Sequence, residues 1–309
     1  PNRAGLDPLH SGILGRVGEV TEPCASRLTL WSNVLHVIAQ KPWLGWGWGE
    51  LDYAHFITLY DGPRFCEILG NAHNLPLHLA VELGIPLALA VCAALLWLLI
   101  RAKPWLETDA TRQMAWSVLA VIGLHSLLEY PLWYAPFQLA ALLAVWLLWQ
   151  TRPLLAGIAV ALSPAGLSRF TSVPSALAAT VLLLCAYVGW DYWRISQIYL
   201  PASQRAAAYR EDALGQTRDS WLFADQVKFA ELGVTPLTRD NAAHIHALAL
   251  DMLHFSPEQR VVEKLMDSAQ LLGNAEAVAY FELRYQAAFP QDYVMWQKAK
   301  GVSPGDKAH

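Results

Sequence analysis

Long apolar runs alternate with short polar breaks through the middle of the chain. Residues 75–100 carry Glu82 as their only charge and stop at Arg101 and Lys103. Residues 114–133 form a second run broken near Pro131, residues 135–150 a third that stops at Arg152, and residues 174–193 a fourth. Crossing a bilayer takes about 20 predominantly apolar residues, and hydrocarbon offers no partner for unpaired backbone groups, so such runs are helices. The pattern predicts four spans joined by short turns.

The flanks follow a different rhythm. Over residues 26–38, Leu28, Trp31, Leu35 and Ile38 recur at helical spacing, which predicts an amphipathic helix near the membrane surface, ended by Lys41-Pro42. Trp43-Leu44-Gly45-Trp46-Gly47-Trp48-Gly49 comes next. Its glycines permit tight backbone paths and its tryptophans suit a water–lipid boundary. It reads as an interfacial anchor or as an aromatic platform, with Trp46 and Trp48, beside a sugar ring. Beyond the spans, residues 220–232, 241–253, 257–272 and 275–289 carry apolar positions three to four apart. The last two have the size and punctuation of one tetratricopeptide-like unit. These helices read as a cap on the membrane part, as a groove for an acceptor protein or as a lid over the donor site.

Composition sharpens this division. The 309 residues are 55% apolar and 16% charged, with a mean hydropathy of +0.27, against roughly 45–50% and 25% in ordinary soluble domains. Residues 74–193 hold ten charges, five of them within 101–112, whereas residues 194–309 hold 26 of the 48. One part belongs in a membrane and another in water. The net charge of −4 and the lack of a basic patch argue against nucleic acid as a partner.

Basic residues set the expected topology. Arg101, Lys103 and Arg112 lie between spans one and two, and Arg152 and Arg169 between spans three and four; the turn at Tyr134 has none. By the positive-inside rule those two loops face the cytoplasm, so both flanks face outward. With no leader pattern before the outward loop, the chain is expected to be the C-terminal part of a longer polytopic protein. Cys92 and Cys185 fall within spans, while Cys24 and Cys66 share the outward loop, where a disulfide persists if the two meet.

The polar exceptions gather toward the outer face. His73 stands at the mouth of span one in the polar run over residues 70–74, where packing gives no reason for it. His78 and Glu82, then His125 and Glu129, are each spaced i, i+4 and share a helix face. Ionisable groups in spans are costly and face a bundle interior or a wet cavity. Each pair reads as a buried packing lock or as part of a site.

His73-Asn74, nine residues and then Gly84 resembles the signature of the O-antigen ligase and polymerase superfamily, with Leu87 a departure at its last position. AHNLPLHLAVELGIPLAL, HSLLEYPLWYAPF, KPWLGWGWGE, SWLFADQVKFAEL and MLHFSPE look closest to the pilin-glycosylating protein O-oligosaccharyltransferases of bacteria, over residues 26–296. The resemblance implies an inner-membrane glycosyltransferase. Its donor would be an undecaprenyl-diphosphate-linked glycan, and its acceptor a pilin-like protein hydroxyl or, in polymerase and ligase relatives, another glycan. His73 matches the essential histidine and Arg27 the outward-loop arginine. Trp31 stands where the ligases carry Leu, so Arg64 and Arg16 are further candidates. Asn74, Arg64, Glu82, His125, Glu129, Trp46 and Trp48 are the expected substrate contacts.

No Asp-x-Asp or carboxylate cluster appears outside the spans, so metal-independent chemistry without a cofactor is expected; Asp52 and Asp61 read as isolated, solvated loop acids. The sequence reading is thus all-α: an outward (periplasmic) loop over residues 1–73, a polytopic bundle of about four spans over 74–193, and a periplasmic helical, tetratricopeptide-like domain over 194–309. The competing class is a non-catalytic membrane scaffold whose tail binds partners.

Overall fold

The structure, a computed structural model, describes residues 23–151 and 164–301, with backbone alone over 164–177. Every regular element among these residues is helical. Packing divides the chain into two units: residues up to Val91 together with those from Tyr280 onward, and Cys92–Ala279.

In the first unit, α1 (Arg27–Gln40) starts at Ser26, whose hydroxyl accepts the Thr29 N–H at 3.2 Å, and ends at Lys41. Its buried stripe is Leu30, Val34, Val37 and Ile38, packed on Leu51, Ala54, Phe65, Leu69, Ala72 and Val81. The periodicity in the sequence pointed to another stripe: Leu28 and Leu35 are exposed. The helix is apolar on two faces, and the tertiary core takes the one with the β-branched valines. Buried Asn33 donates to the Pro63 carbonyl at 2.9 Å and accepts the Phe65 N–H at 2.8 Å. That satisfies a loop which no secondary structure would satisfy. A disulfide between Cys24 and Cys66, with Cα atoms 5.3 Å apart, closes the same loop onto the start of α1.

Two short helices follow, α2 (Leu51–Ile57) and α3 (Leu75–Leu83). Gly84 then takes φ +84°, and α4 (Ile85–Ala102) begins beyond it. The apolar run over 75–100 is therefore two elements, not one span. The stretch Ile85–Leu106 is long and apolar enough to cross a membrane. Leu95, Leu96, Trp97, Leu98, Leu99 and Ile100 are all exposed along it, a surface suited to lipid rather than water.

In the second unit, α5 (Ala110–His125) and α6 (Ala135–Gln150) pack together. Arg112 ties their ends, donating to Glu107 at 2.5 Å, the Leu148 carbonyl at 2.9 Å and Thr151 at 3.0 Å. Helix α5 stops short of the expected end at residue 133. Pro131 lacks an N–H and starts a separate turn, Pro131–Trp133. Both helices have 16 residues, about 24 Å of rise. The expected fourth span lies within α7 (Pro164–Ser196), and its first four residues fall outside those whose side chains are described. So the structure provides one full-length candidate span among the described residues, and α6 as a shorter apolar helix.

At the end of α7, Arg194 pairs with Asp191 and Asp219, and Ser220 donates to Asp191 at 2.7 Å. This anchors the tail: α8 (Ala224–Val234), α9 (Ala242–Phe255) and α10 (Gln259–Leu271), with α9 packed on α10 and α8. Helix α11 (Ala275–Ala288) leads into α12 (Pro290–Ala299), which starts on a proline at its first position.

Candidate functional site

The polar platform of the first unit is built around α3. His73 precedes it with φ +49°, a left-handed backbone rare outside glycine. Its N–H donates to Asn71 Oδ1 at 2.9 Å, and the Trp31 indole N–H donates to the neighbouring Ala72 carbonyl at 3.0 Å. Asn74 caps α3, its side chain accepting the Leu77 N–H at 3.0 Å. His73 is half-buried between these two fixed points.

One turn into α3 stands His78, and one turn further Glu82, with Nε2 and Oε1 3.3 Å apart. Both are 2% exposed. Glu82 Oε1 also accepts the Gly49 N–H at 3.0 Å. Burial holds His78 down to about 4 and pushes Glu82 up to about 7, so near neutral pH the imidazole is uncharged and the carboxyl is near its midpoint. The two side chains meet on one face of α3, as the i, i+4 spacing predicts.

The tryptophan–glycine loop clasps the end of α3. Trp46 N–H donates to the Val81 carbonyl at 2.8 Å, Gly47 N–H to Glu82 at 3.0 Å, and Ile85 N–H to Pro42 at 2.8 Å. The tryptophans have different fates. The Trp46 indole donates to the Val37 carbonyl at 3.0 Å, with Lys41 over its ring at 3.9 Å, and it packs against the core. Trp43, Leu44 and Trp48 are exposed, Leu44 at 86%. Trp46 is thus held against the core, whereas Trp48 is largely exposed.

Arg27 is exposed at the first position of α1, one turn before Trp31 and on the same face. Arg64 is half-buried and donates to the Thr58 carbonyl at 2.9 Å near the Tyr60 ring. Burial lowers its pKa to about 10, so it stays charged, but its fork is engaged locally. Arg16 lies outside the described residues. His125 and Glu129 belong to the second unit. His125 ends α5 edge-on to Phe137 at 5.6 Å, and Glu129 lies beyond the helix end, its N–H donating to the His125 carbonyl at 2.8 Å.

Asp52, read as solvated from the sequence, is half-buried in the first turn of α2. Burial, aided by the charges of Glu50 and Glu82, raises its carboxyl to about 7 against the Tyr53 N–H that stabilises the anion. His55 is buried, with Nδ1 2.7 Å from the Tyr60 hydroxyl and Nε2 3.2 Å from the Phe65 carbonyl, and burial holds it near 3. From the far end of the sequence, Arg284 donates to the Ile57 carbonyl at 2.9 Å and covers the Tyr280 ring at 3.4 Å. No local pattern foretells the contact of Arg284 with Ile57, which lie 227 residues apart. Among the described residues, no three His, Cys, Asp or Glu side chains are grouped to hold a metal ion.

A helical protein with a lipid-suited span and, ahead of it in the sequence, an ordered polar platform is the class these features define. The chain matches the family described as "Virulence factor membrane-bound polymerase, C-terminal" over residues 113–302, and that described as "O-Antigen ligase" over residues 4–92. It belongs to this O-antigen ligase and polymerase superfamily, on the side of the protein O-oligosaccharyltransferases. It is 30% identical over 141 residues to the General O-oligosaccharyltransferase of Acinetobacter baylyi, covering 43% of this chain and 24% of that protein. It is 29% identical over 113 residues to the ComP-specific O-oligosaccharyltransferase of the same organism, covering 37% and 20%. The matched part thus spans a quarter or less of these curated relatives. No solved structure matches the chain.

Proposed function

We propose that this chain carries the outward-facing catalytic shoulder of a bacterial inner-membrane O-oligosaccharyltransferase, which moves a glycan from undecaprenyl diphosphate to a serine or threonine hydroxyl of a pilin-like protein. The observation that carries the reading is the His73-Asn74…Gly84 motif. His73 has a constrained left-handed backbone, Asn74 caps the next helix, and Gly84 makes the break that ends it before the span. The Cys24–Cys66 disulfide supports a periplasmic placement, since such bonds persist in oxidising compartments. Trp43, Leu44 and Trp48 are exposed on the loop that follows Pro42, whose carbonyl accepts the Ile85 N–H at the start of the span, which supports the interfacial-anchor reading of that loop.

In the reaction, the His73 imidazole takes the hydroxyl proton as the acceptor oxygen bonds to the anomeric carbon of the sugar. The bond from that carbon to the diphosphate oxygen breaks, and its electron pair leaves with the lipid diphosphate. Arg27, exposed near Trp31, supplies the cation that balances this charge. The family descriptions favour one further acceptor, a glycan hydroxyl, which the same base would serve. Four spans and an acceptor-docking role for the helical tail, including a tetratricopeptide-like pairing, complete the proposal. Transfer of glycan by the full-length protein from purified lipid-linked donor to a pilin acceptor, with His73→Ala as comparison, tests it.

A further inference from the structure

We propose that Trp31 and Asn71 are positioning residues for the reaction, acting through His73 and setting its distance from Arg27. The inference rests on the assignment of His73 as the base. A non-glycine residue in the left-handed region costs on the order of 1 kcal/mol or more and persists only where its surroundings over-determine it. Here they do so from two sides. Asn71 Oδ1 accepts the N–H of His73 itself, at 2.9 Å, and the Trp31 indole N–H holds the Ala72 carbonyl, at 3.0 Å. Asn71 is 9% exposed and Ala72 is fully buried, so water does not compete for either bond.

The two residues divide the work. Asn71 is local, closing a turn two residues long. Trp31 comes from 41 residues earlier in the chain, on a helix whose core face is locked by Leu30, Val34 and Val37. Arg27 sits four residues before Trp31, about 6 Å along the same face of that helix. One indole hydrogen bond therefore joins the helix that carries the cation to the backbone that carries the base.

The test is steady-state glycan transfer by the full-length protein in membranes, with lipid-linked donor and pilin acceptor. Trp31→Phe keeps a ring and loses the N–H; Asn71→Leu removes the acceptor. Each is expected to lower kcat by about 10²-fold with KM for the donor little changed, since a misplacement of about 1 Å has that effect. Asn71→Ser, whose hydroxyl still accepts a backbone N–H, is expected to recover most of the Asn71→Leu loss. Membrane abundance and the Cys24–Cys66 disulfide, followed in parallel, separate this from misfolding. Wild-type kcat in Trp31→Phe and Asn71→Leu, a loss confined to KM or abundance, or no recovery in Asn71→Ser overturns the positioning role. Full activity of His73→Ala, run alongside, overturns the assignment of the base instead.

Discussion

Gly84 meets the loop around Gly45 backbone to backbone. A Cβ on Gly84 would fall inside contact distance of the Trp43 carbonyl, and one on Gly45 inside that of the Glu82 carbonyl. Both have positive φ, +84° and +71°, so side chains are excluded by conformation and by space. Gly84→Ala is expected to destabilise the first unit by about 2 kcal/mol or more. A thermal melt of the detergent-solubilised protein checks this; an unchanged midpoint would mean that the clasp is not tight.

Glu82 is expected to act through its hydrogen bonds and not through its charge. Glu82→Gln keeps an acceptor for the Gly49 N–H, and burial already holds the carboxyl at about 7. That variant should keep both stability and transfer. Glu82→Ala leaves the Gly49 N–H unpaired and should cost about 1–3 kcal/mol. Loss of transfer in Glu82→Gln at unchanged stability would make the ionised carboxylate a substrate contact.

Asp52 should give the fold a pH dependence of defined sign. Its carboxyl is raised from 3.8 to about 7 by burial, so between those values the folded chain binds more protons than the unfolded one. The stability it contributes is present below the unfolded value and is lost as pH rises through about 7. Asp52→Asn should therefore melt with the wild type at about pH 4 and above it at about pH 8. His55, held down at about 3, acts in the opposite sense, losing stability as pH falls, and is common to both proteins. A melting difference that is the same at both pH values would show Asp52 to be solvated.

The Cys24–Cys66 bond closes a separation of 42 residues, which in the chain-entropy description stabilises by about 2–4 kcal/mol. Reduction, or a Cys24→Ala/Cys66→Ala pair, should lower the melting midpoint accordingly. Maleimide counting in denaturant should find two thiols, Cys92 and Cys185, before reduction and four after it. Four before reduction would contradict the pairing.

Helices were legible in the sequence where periodicity and caps agreed. The tail segments at 241–253 and 257–272 return as α9 and α10 within a few residues, and α1 ends at Lys41-Pro42 as expected. The apolar run over 75–100 hid a break, because hydropathy does not register the positive φ of Gly84. The end of α5 was misplaced because apolar residues continue beyond it toward Pro131. Helix α12 carried too mixed a pattern to be read. Around the proposed site, the closeness of His78 and Glu82 was readable from local spacing. The Trp31–Ala72 bond, the burial of Asp52 and the docking of Arg284 on Ile57 were not, since each joins segments that only the fold brings together.

The proposed reaction depends on the assignment of His73 as the base that activates the acceptor hydroxyl. It is tested most directly by glycan transfer in vitro, comparing full-length wild type with His73→Ala at equal membrane abundance and with the Cys24–Cys66 disulfide intact. Donor binding should persist while turnover falls by about 10²–10⁴-fold, the range for loss of a general base. Turnover at the wild-type rate in His73→Ala would contradict it.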